Sequence, residues 1–126
     1  MKCKLALAQI NTVLGDLNTN LQKHLSLIDQ AVSEKADLLI FPELSLTGYL
    51  LQDLVPQVAL KPDHEDPIFS RLLEASHKLD LVVGFVQEDE RNRFFIASAY
   101  LSQGEVVHVH QKIYLPTYGL FDESRF

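Results

Sequence analysis

Asp37-Leu38-Leu39-Ile40-Phe41-Pro42-Glu43 is the stretch on which the fold turns. Four apolar residues in a row, opened by an aspartate and stopped by a proline, are too few for a helix and read as a strand inside a sheet. Proline has no N–H for a ladder, so the strand ends there and Glu43 sits just past its carboxyl end. Upstream, from Asn18 onward, Leu21, Leu25, Ile28, Ala31 and Val32 recur at helical spacing. Gln22, Lys23, Asp29, Gln30 and Glu34 occupy the other side, so this is an amphipathic helix lying on the sheet. Earlier still, Lys2 to Gln9 alternates Cys3, Leu5 and Leu7 with Ala6 and Ala8, apolar on both sides after Lys4. It reads as a first strand buried in the sheet, and Asn11 to Asp16, with Gly15, breaks it. Strand, helix, strand makes a parallel crossover.

Downstream, Thr47-Gly48-Tyr49 is a loop, and Pro56 argues against a long regular helix within Leu51 to Lys61, a segment that receives no assignment. Asp66-Pro67 is an N-cap followed by proline at the first helical position. Ile68, Leu72, Ala75 and Leu79 then mark a second amphipathic helix over the sheet. Leu81 to Val86, Phe94 to Leu101 and Glu105 to Val109 are strand-like runs separated by the polar turns Glu88 to Arg93 and Ser102-Gln103-Gly104. They form an antiparallel meander. Gln111 to Phe126 has no period and is dense in Tyr, Pro, Gly and Phe, as in an aromatic-rich loop. The expected class is α/β, a mixed sheet with helices on one face.

At 126 residues the chain can hold one core, and its 47% hydrophobic content suffices to fill it. Seventeen acidic against eleven basic side chains give a charge of -6, so no global positive field exists to hold nucleic acid. The single cysteine, Cys3, excludes an internal disulfide and fits a reducing cytoplasm. The run Leu5 to Ala8 is far shorter than the apolar region of a signal peptide, and nothing approaches a membrane span.

In open α/β sheets the ligand crevice lies beyond the carboxyl ends of the parallel strands, which makes Glu43 a candidate for chemistry, although by pattern alone a carboxylate leaving a strand is more often merely solvated. Lys112 ends the last strand after His108-Val109-His110-Gln111. His108 and His110 point the same way on that strand, but no third ligand has suitable spacing, so no metal is expected. Ser45 could be proposed as a nucleophile, yet there is no GxSxG elbow and no histidine is placed in the sequence to activate it. Cys3 opens the first strand and reads as a small packed hydrophobe.

Three segments taken in order carry a resemblance. They are Leu5-Ala6-Leu7-Ala8-Gln9-Ile10-Asn11, Phe41-Pro42-Glu43-Leu44-Ser45-Leu46-Thr47-Gly48-Tyr49 and His110-Gln111-Lys112-Ile113-Tyr114-Leu115-Pro116. Together they resemble the nitrilase, or carbon-nitrogen hydrolase, superfamily over essentially the whole chain. Tyr118-Gly119-Leu120-Phe121-Asp122-Glu123, and Gly48-Tyr49 followed by Asp53-Leu54, look most like the glutaminase domain of glutamine-dependent NAD synthetases and its stand-alone amidase relatives.

The resemblance implies a four-layer αββα sandwich that hydrolyses a small amide through a Glu, Lys, Cys triad and a thioester, without a cofactor. Glu43 matches the triad glutamate and Lys112 the lysine, while Tyr49, Tyr118 and Phe121 match aromatic positions that wall the acyl pocket. Glu123 could be the second acid of some members, though its spacing from Lys112 departs from the commonest version. The family's cysteine follows the lysine by a few tens of residues, beyond Phe126. Residues 1–126 are therefore expected to be the N-terminal portion of a single hydrolase domain, inactive alone, with Glu43 buried in a dry cleft against Lys112. A homodimer and a following synthetase domain are compatible with the family. The other reading is a non-catalytic module completed by a partner chain, because an unfinished sandwich would expose a sheet edge and an apolar patch.

Overall fold

A computed structural model describes residues 2–113. The first crossover begins with β1 (Leu5–Leu7), continues through α1 (Leu17–Ser33) and returns in β2 (Leu38–Ile40), which pairs parallel with β1. Asp16 caps α1, its carboxylate accepting from the Thr19 N–H at 3.0 Å and from the Thr19 hydroxyl at 2.8 Å. These bonds hold its carboxyl below the usual carboxylate range. After β2 a short 3-10 turn (Gln52–Leu54) runs into α2 (Val55–Val58), where Pro56 sits in the first turn and needs no N–H partner. The sequence expectation of no long helix here agrees.

Asp66 caps α3 (Pro67–Ala75) by accepting the N–H groups of Ile68 at 2.8 Å and Phe69 at 2.9 Å. The chain then forms β3 (Asp80–Glu88), β4 (Phe94–Ser102) and β5 (Glu105–Gln111). β3 pairs parallel with β2, whereas β3–β4 and β4–β5 are antiparallel, so the five-stranded mixed sheet has the order β1-β2-β3-β4-β5. The meander is as expected, and β5 runs two residues further than the sequence reading placed it, through Gln111.

Alternation along each strand separates two faces. Leu39, Leu81, Val83, Phe85, Ala97, Ala99 and Leu101 turn toward α1 and α3, where Leu21, Ile28, Phe69, Leu72 and Leu73 close the main core. Phe69 and Phe85 meet edge to face at 4.8 Å. The other face bears Leu5, Leu7, Leu38, Ile40, Val82, Ser98, Tyr100, His108 and His110 by register. Among the described residues no helix lies over it at β1, and here one expectation fails. β1 is three residues long, with Leu5 57% and Leu7 76% exposed, so it is not buried on both sides. Ala6 and Ala8 alone pack toward the core, because period-two alternation sends both leucines to the uncovered face.

A smaller cluster, Leu44, Leu51, Val55, Val58, Val86 and Ile96, sits beneath the loop after β2. Among the described residues no helix is long and apolar enough to cross a membrane.

Candidate active site

β2 ends because the chain leaves the sheet. The Phe41 N–H still reaches the Val82 carbonyl at 2.9 Å, but Pro42 cannot donate, and from there the backbone climbs across Gly84 of β3. A methyl on Gly84 would lie 2.5 Å from both the Leu44 nitrogen and the Pro42 carbonyl oxygen, so only glycine admits this crossing. Past the crossing the loop takes over the edge of β3 that β2 has vacated. Gly84 donates its N–H to Ser45 Oγ at 3.1 Å and accepts the Leu46 N–H at 3.0 Å. Leu44 adopts the left-handed conformation (φ 51°), its side chain fully buried in the smaller cluster. Glu43 is held between these two anchors.

Lys112 arrives from the opposite side of the sheet order. Its N–H donates to the Ile96 carbonyl at 2.8 Å, so the chain still follows β4 one residue after β5 ends. Its ammonium Nζ donates to Glu43 Oε1 at 2.9 Å, joining residues 69 positions apart. The pair borders a cavity of about 310 Å³ between the Phe41–Glu43 turn, Gly84 and the β4–β5 ends, with Ser98 and His110 on its floor. A wider depression of about 530 Å³, bounded by Phe94, Phe95 and His108–Ile113, adjoins it and shares His110 and Lys112.

The acid and the ammonium anticipated from sequence therefore meet, but not in a dry cleft. Their side chains are 43% and 29% exposed, Glu43 the more open, because the pair lies on the sheet face that carries neither α1 nor α3. A half-exposed ion pair of this kind stabilises a fold by only about 0.2–1 kcal/mol. Its removal should leave the fold standing.

Tyr49 is half-buried against the smaller cluster and is not among the residues lining the cavity. Tyr118, Phe121 and Glu123 lie outside the described residues. His108 and His110 stand opposite Tyr100 and Ser98, on one face and exposed, and among the described residues no group of three or more His, Cys, Asp or Glu could hold a metal ion. Cys3 is exposed rather than packed.

Sequence reasoning missed a buried polar network under the Glu43 loop. Asn20 and His24, one turn apart on α1, are fully buried among apolar neighbours. The Asn20 amide donates to the Leu46 carbonyl at 2.9 Å and the Val13 carbonyl at 2.8 Å, and its oxygen accepts the Val13 N–H at 2.8 Å. His24 Nδ1 lies 2.6 Å from the Asn20 carbonyl and Nε2 lies 2.9 Å from Ser45 Oγ, while its ring stacks on Phe41 at 4.1 Å. Burial pushes His24 down to about 4, so it is neutral at pH 7. A carbonyl can only accept, so Nδ1 carries the ring proton and Nε2 accepts the Ser45 hydroxyl. Contrary to the sequence reading, a histidine does reach Ser45. It does not make a nucleophile, because Ser45 is fully buried and its oxygen already accepts the Gly84 N–H. The legible signal was the i, i+4 spacing of Asn20 and His24 on the side of α1 that Leu21 and Ile28 occupy.

A mixed five-stranded sheet with α1 and α3 over one face, and a carboxylate and an ammonium converging beyond its strand ends, define an α/β protein with a candidate acid-base site. Residues 4–126 match the family described as carbon-nitrogen hydrolase, and the chain belongs to that family. It is 35% identical to the glutamine-dependent NAD(+) synthetase of Thermotoga maritima across 99% of this chain and 22% of that protein. The likeness to the corresponding synthetase of Acinetobacter baylyi is also 35%, across 98% of this chain and 22% of the relative. Among solved structures, a glutamine-dependent NAD+ synthetase from Acinetobacter baumannii, in complex with ADP, superposes with a TM-score of 0.81 at 35% identity. That match covers 98% of this chain and 23% of the other. An N-terminal amidase bearing the change C187S superposes at 0.77 with 25% identity, over 90% of this chain and 28% of its own. The chain thus spans less than a quarter of the length of the curated relatives named here.

Proposed function

We propose that this chain supplies the general base and the oxyanion-stabilising cation of a cysteine-dependent amidase acting on a small amide, with glutamine the favoured substrate. The observation that carries the reading is the 2.9 Å contact between Glu43 and Lys112 beside an open cavity. In this reading the nucleophilic cysteine lies in sequence beyond Phe126, and residues 1–126 are the N-terminal portion of one hydrolase domain. The 22% share of the relatives' length supports that reading.

Glu43 takes the thiol proton, and the thiolate attacks the amide carbon. The oxygen of the tetrahedral intermediate, now an anion, is stabilised by the Lys112 ammonium, which is already in place and needs no solvent reorganisation. The carbon-nitrogen bond breaks as Glu43 returns the proton to the departing ammonia. Glu43 then deprotonates water, water attacks the thioester, and the acid leaves as the thiol is restored. The names of the relatives support glutamine as the ammonia donor and a synthetase domain downstream as its consumer. A cytoplasmic location and a homodimer belong to the same proposal, the former because a nucleophilic thiol must stay reduced to act.

Two measurements test it. Sequencing the gene past codon 126 should reveal an open frame with a cysteine following a strand, and an immediate stop would favour a non-catalytic module instead. In the full-length protein, Glu43→Gln and Lys112→Ala should each lower glutamine hydrolysis by about a hundredfold or more with the circular dichroism unchanged. A near-normal rate in either variant removes that residue from the mechanism.

A further inference from the structure

We propose that His24 and Ser45 are positioning residues for Glu43: a buried hydrogen-bonded relay from α1 through the loop to β3 that sets the carboxylate within reach of Lys112. The inference rests on the reading of Glu43 as the base and adds to it the device that aims it.

The geometry leaves each proton of the relay one place. Gly84 donates its N–H to Ser45 Oγ, Ser45 donates its hydroxyl to His24 Nε2, and His24 donates Nδ1–H to the Asn20 carbonyl. Ser45 Oγ also lies 3.4 Å from the Gly84 carbonyl, a long contact for its single proton beside the 2.9 Å alternative at His24. Asn20 secures the next residue by donating to the Leu46 carbonyl at 2.9 Å. Two side chains of α1 thus grip two consecutive loop residues, and Ser45 is only two positions from Glu43.

These groups are fully buried, where an unmet donor or acceptor is expensive, so the arrangement is all or none. A surface loop would not need it. The main core would be served by leucine at His24, which sits among apolar neighbours and stacks on Phe41 at 4.1 Å. Phe41 opens the Phe41-Pro42-Glu43 turn, so the ring of His24 touches both flanks of Glu43, through Phe41 before it and Ser45 after it. A displacement of about 1 Å at a reacting group can cost about a hundredfold in rate, which gives so exacting an anchor its use.

The test uses the full-length protein with glutamine as the probe, and variants Ser45→Ala, His24→Leu and His24→Gln alongside Glu43→Gln. Ser45→Ala and His24→Leu should lower kcat at least about tenfold with KM within about threefold. His24→Gln, whose amide oxygen can accept the Ser45 hydroxyl, should recover most of the loss. A crystal structure of Ser45→Ala, or of His24→Leu if the serine variant does not fold, should show the Glu43–Lys112 contact opened beyond about 3.5 Å. A folded variant that keeps both the 2.9 Å contact and kcat within twofold overturns the proposal. If Glu43→Gln itself keeps the normal rate, the catalytic reading falls, and the positioning claim stands or falls on the measured separation alone.

Discussion

Replacing Gly84 by alanine adds one methyl group at the point where the Glu43 loop crosses β3. The new Cβ would meet the Leu44 nitrogen and the Pro42 carbonyl oxygen at 2.5 Å and the Glu43 carbonyl carbon at 3.0 Å. All three are backbone atoms, so no side chain can swing aside to relieve the clash. Restoring an ordinary contact of about 3.4 Å requires the loop to lift by roughly 0.9 Å. That movement strains the Ser45 and Leu46 bonds to Gly84, now 3.1 and 3.0 Å long. Overpacking of this kind costs typically 1–3 kcal/mol, and the loss of one buried hydrogen bond adds about 1. We expect Gly84→Ala to destabilise by roughly 2–4 kcal/mol, seen as a lower urea midpoint at unchanged slope. Because the lift displaces Glu43 relative to Lys112, the glutamine hydrolysis proposed for the full-length protein should fall by about tenfold or more under conditions where the variant is folded. A stability within 0.5 kcal/mol of the parent, with activity unchanged, would refute the claim that this crossing sets the site.

The remaining predictions concern the helices and the buried histidine. His24 is pushed down to about 4 in the folded state from 6.5, so the unfolded chain binds the proton first as pH falls. The stability that goes with a neutral His24 is present above pH 6.5 and is lost as pH drops toward 4, by roughly 3 kcal/mol in all. Urea titrations across pH 4–7 should show this slope in the parent, and His24→Gln should flatten it; an equal slope in both would assign the titration to other groups. Asp66→Ala removes an acceptor for two N–H groups at the start of α3 and should cost about 1 kcal/mol in a thermal melt, with Asp66→Asn nearly silent. Phe69→Ala empties a fully buried position against Phe85 and should cost about 3–5 kcal/mol, the largest of these losses.

Much of the fold was legible because its signals are local. The Leu38–Ile40 run, the Asp66-Pro67 start and the polar turns between β3, β4 and β5 each follow from steric or hydrogen-bonding preferences of a few adjacent residues. Glu43 was legible too, as a carboxylate stranded at a strand end, and the quoted motifs tied it to Lys112. β1 misled for the complementary reason. Its alternation says that two faces exist, but whether something covers the outer face is a property of distant chain, and Leu5 and Leu7 remain exposed.

The sequence by itself determined the order of the strands and of the two longer helices, the crossover and the meander, and it named the acid and the ammonium that meet, since periodicity and motif depend on neighbours along the chain. Only the tertiary structure decided that these two groups lie 2.9 Å apart in a half-open cavity, that Gly84 must lack a side chain, and that His24 holds Ser45. Those facts are contacts between residues separated by 21 to 69 positions or more than one element, and such contacts exist only once burial and strand pairing have closed the loops between them.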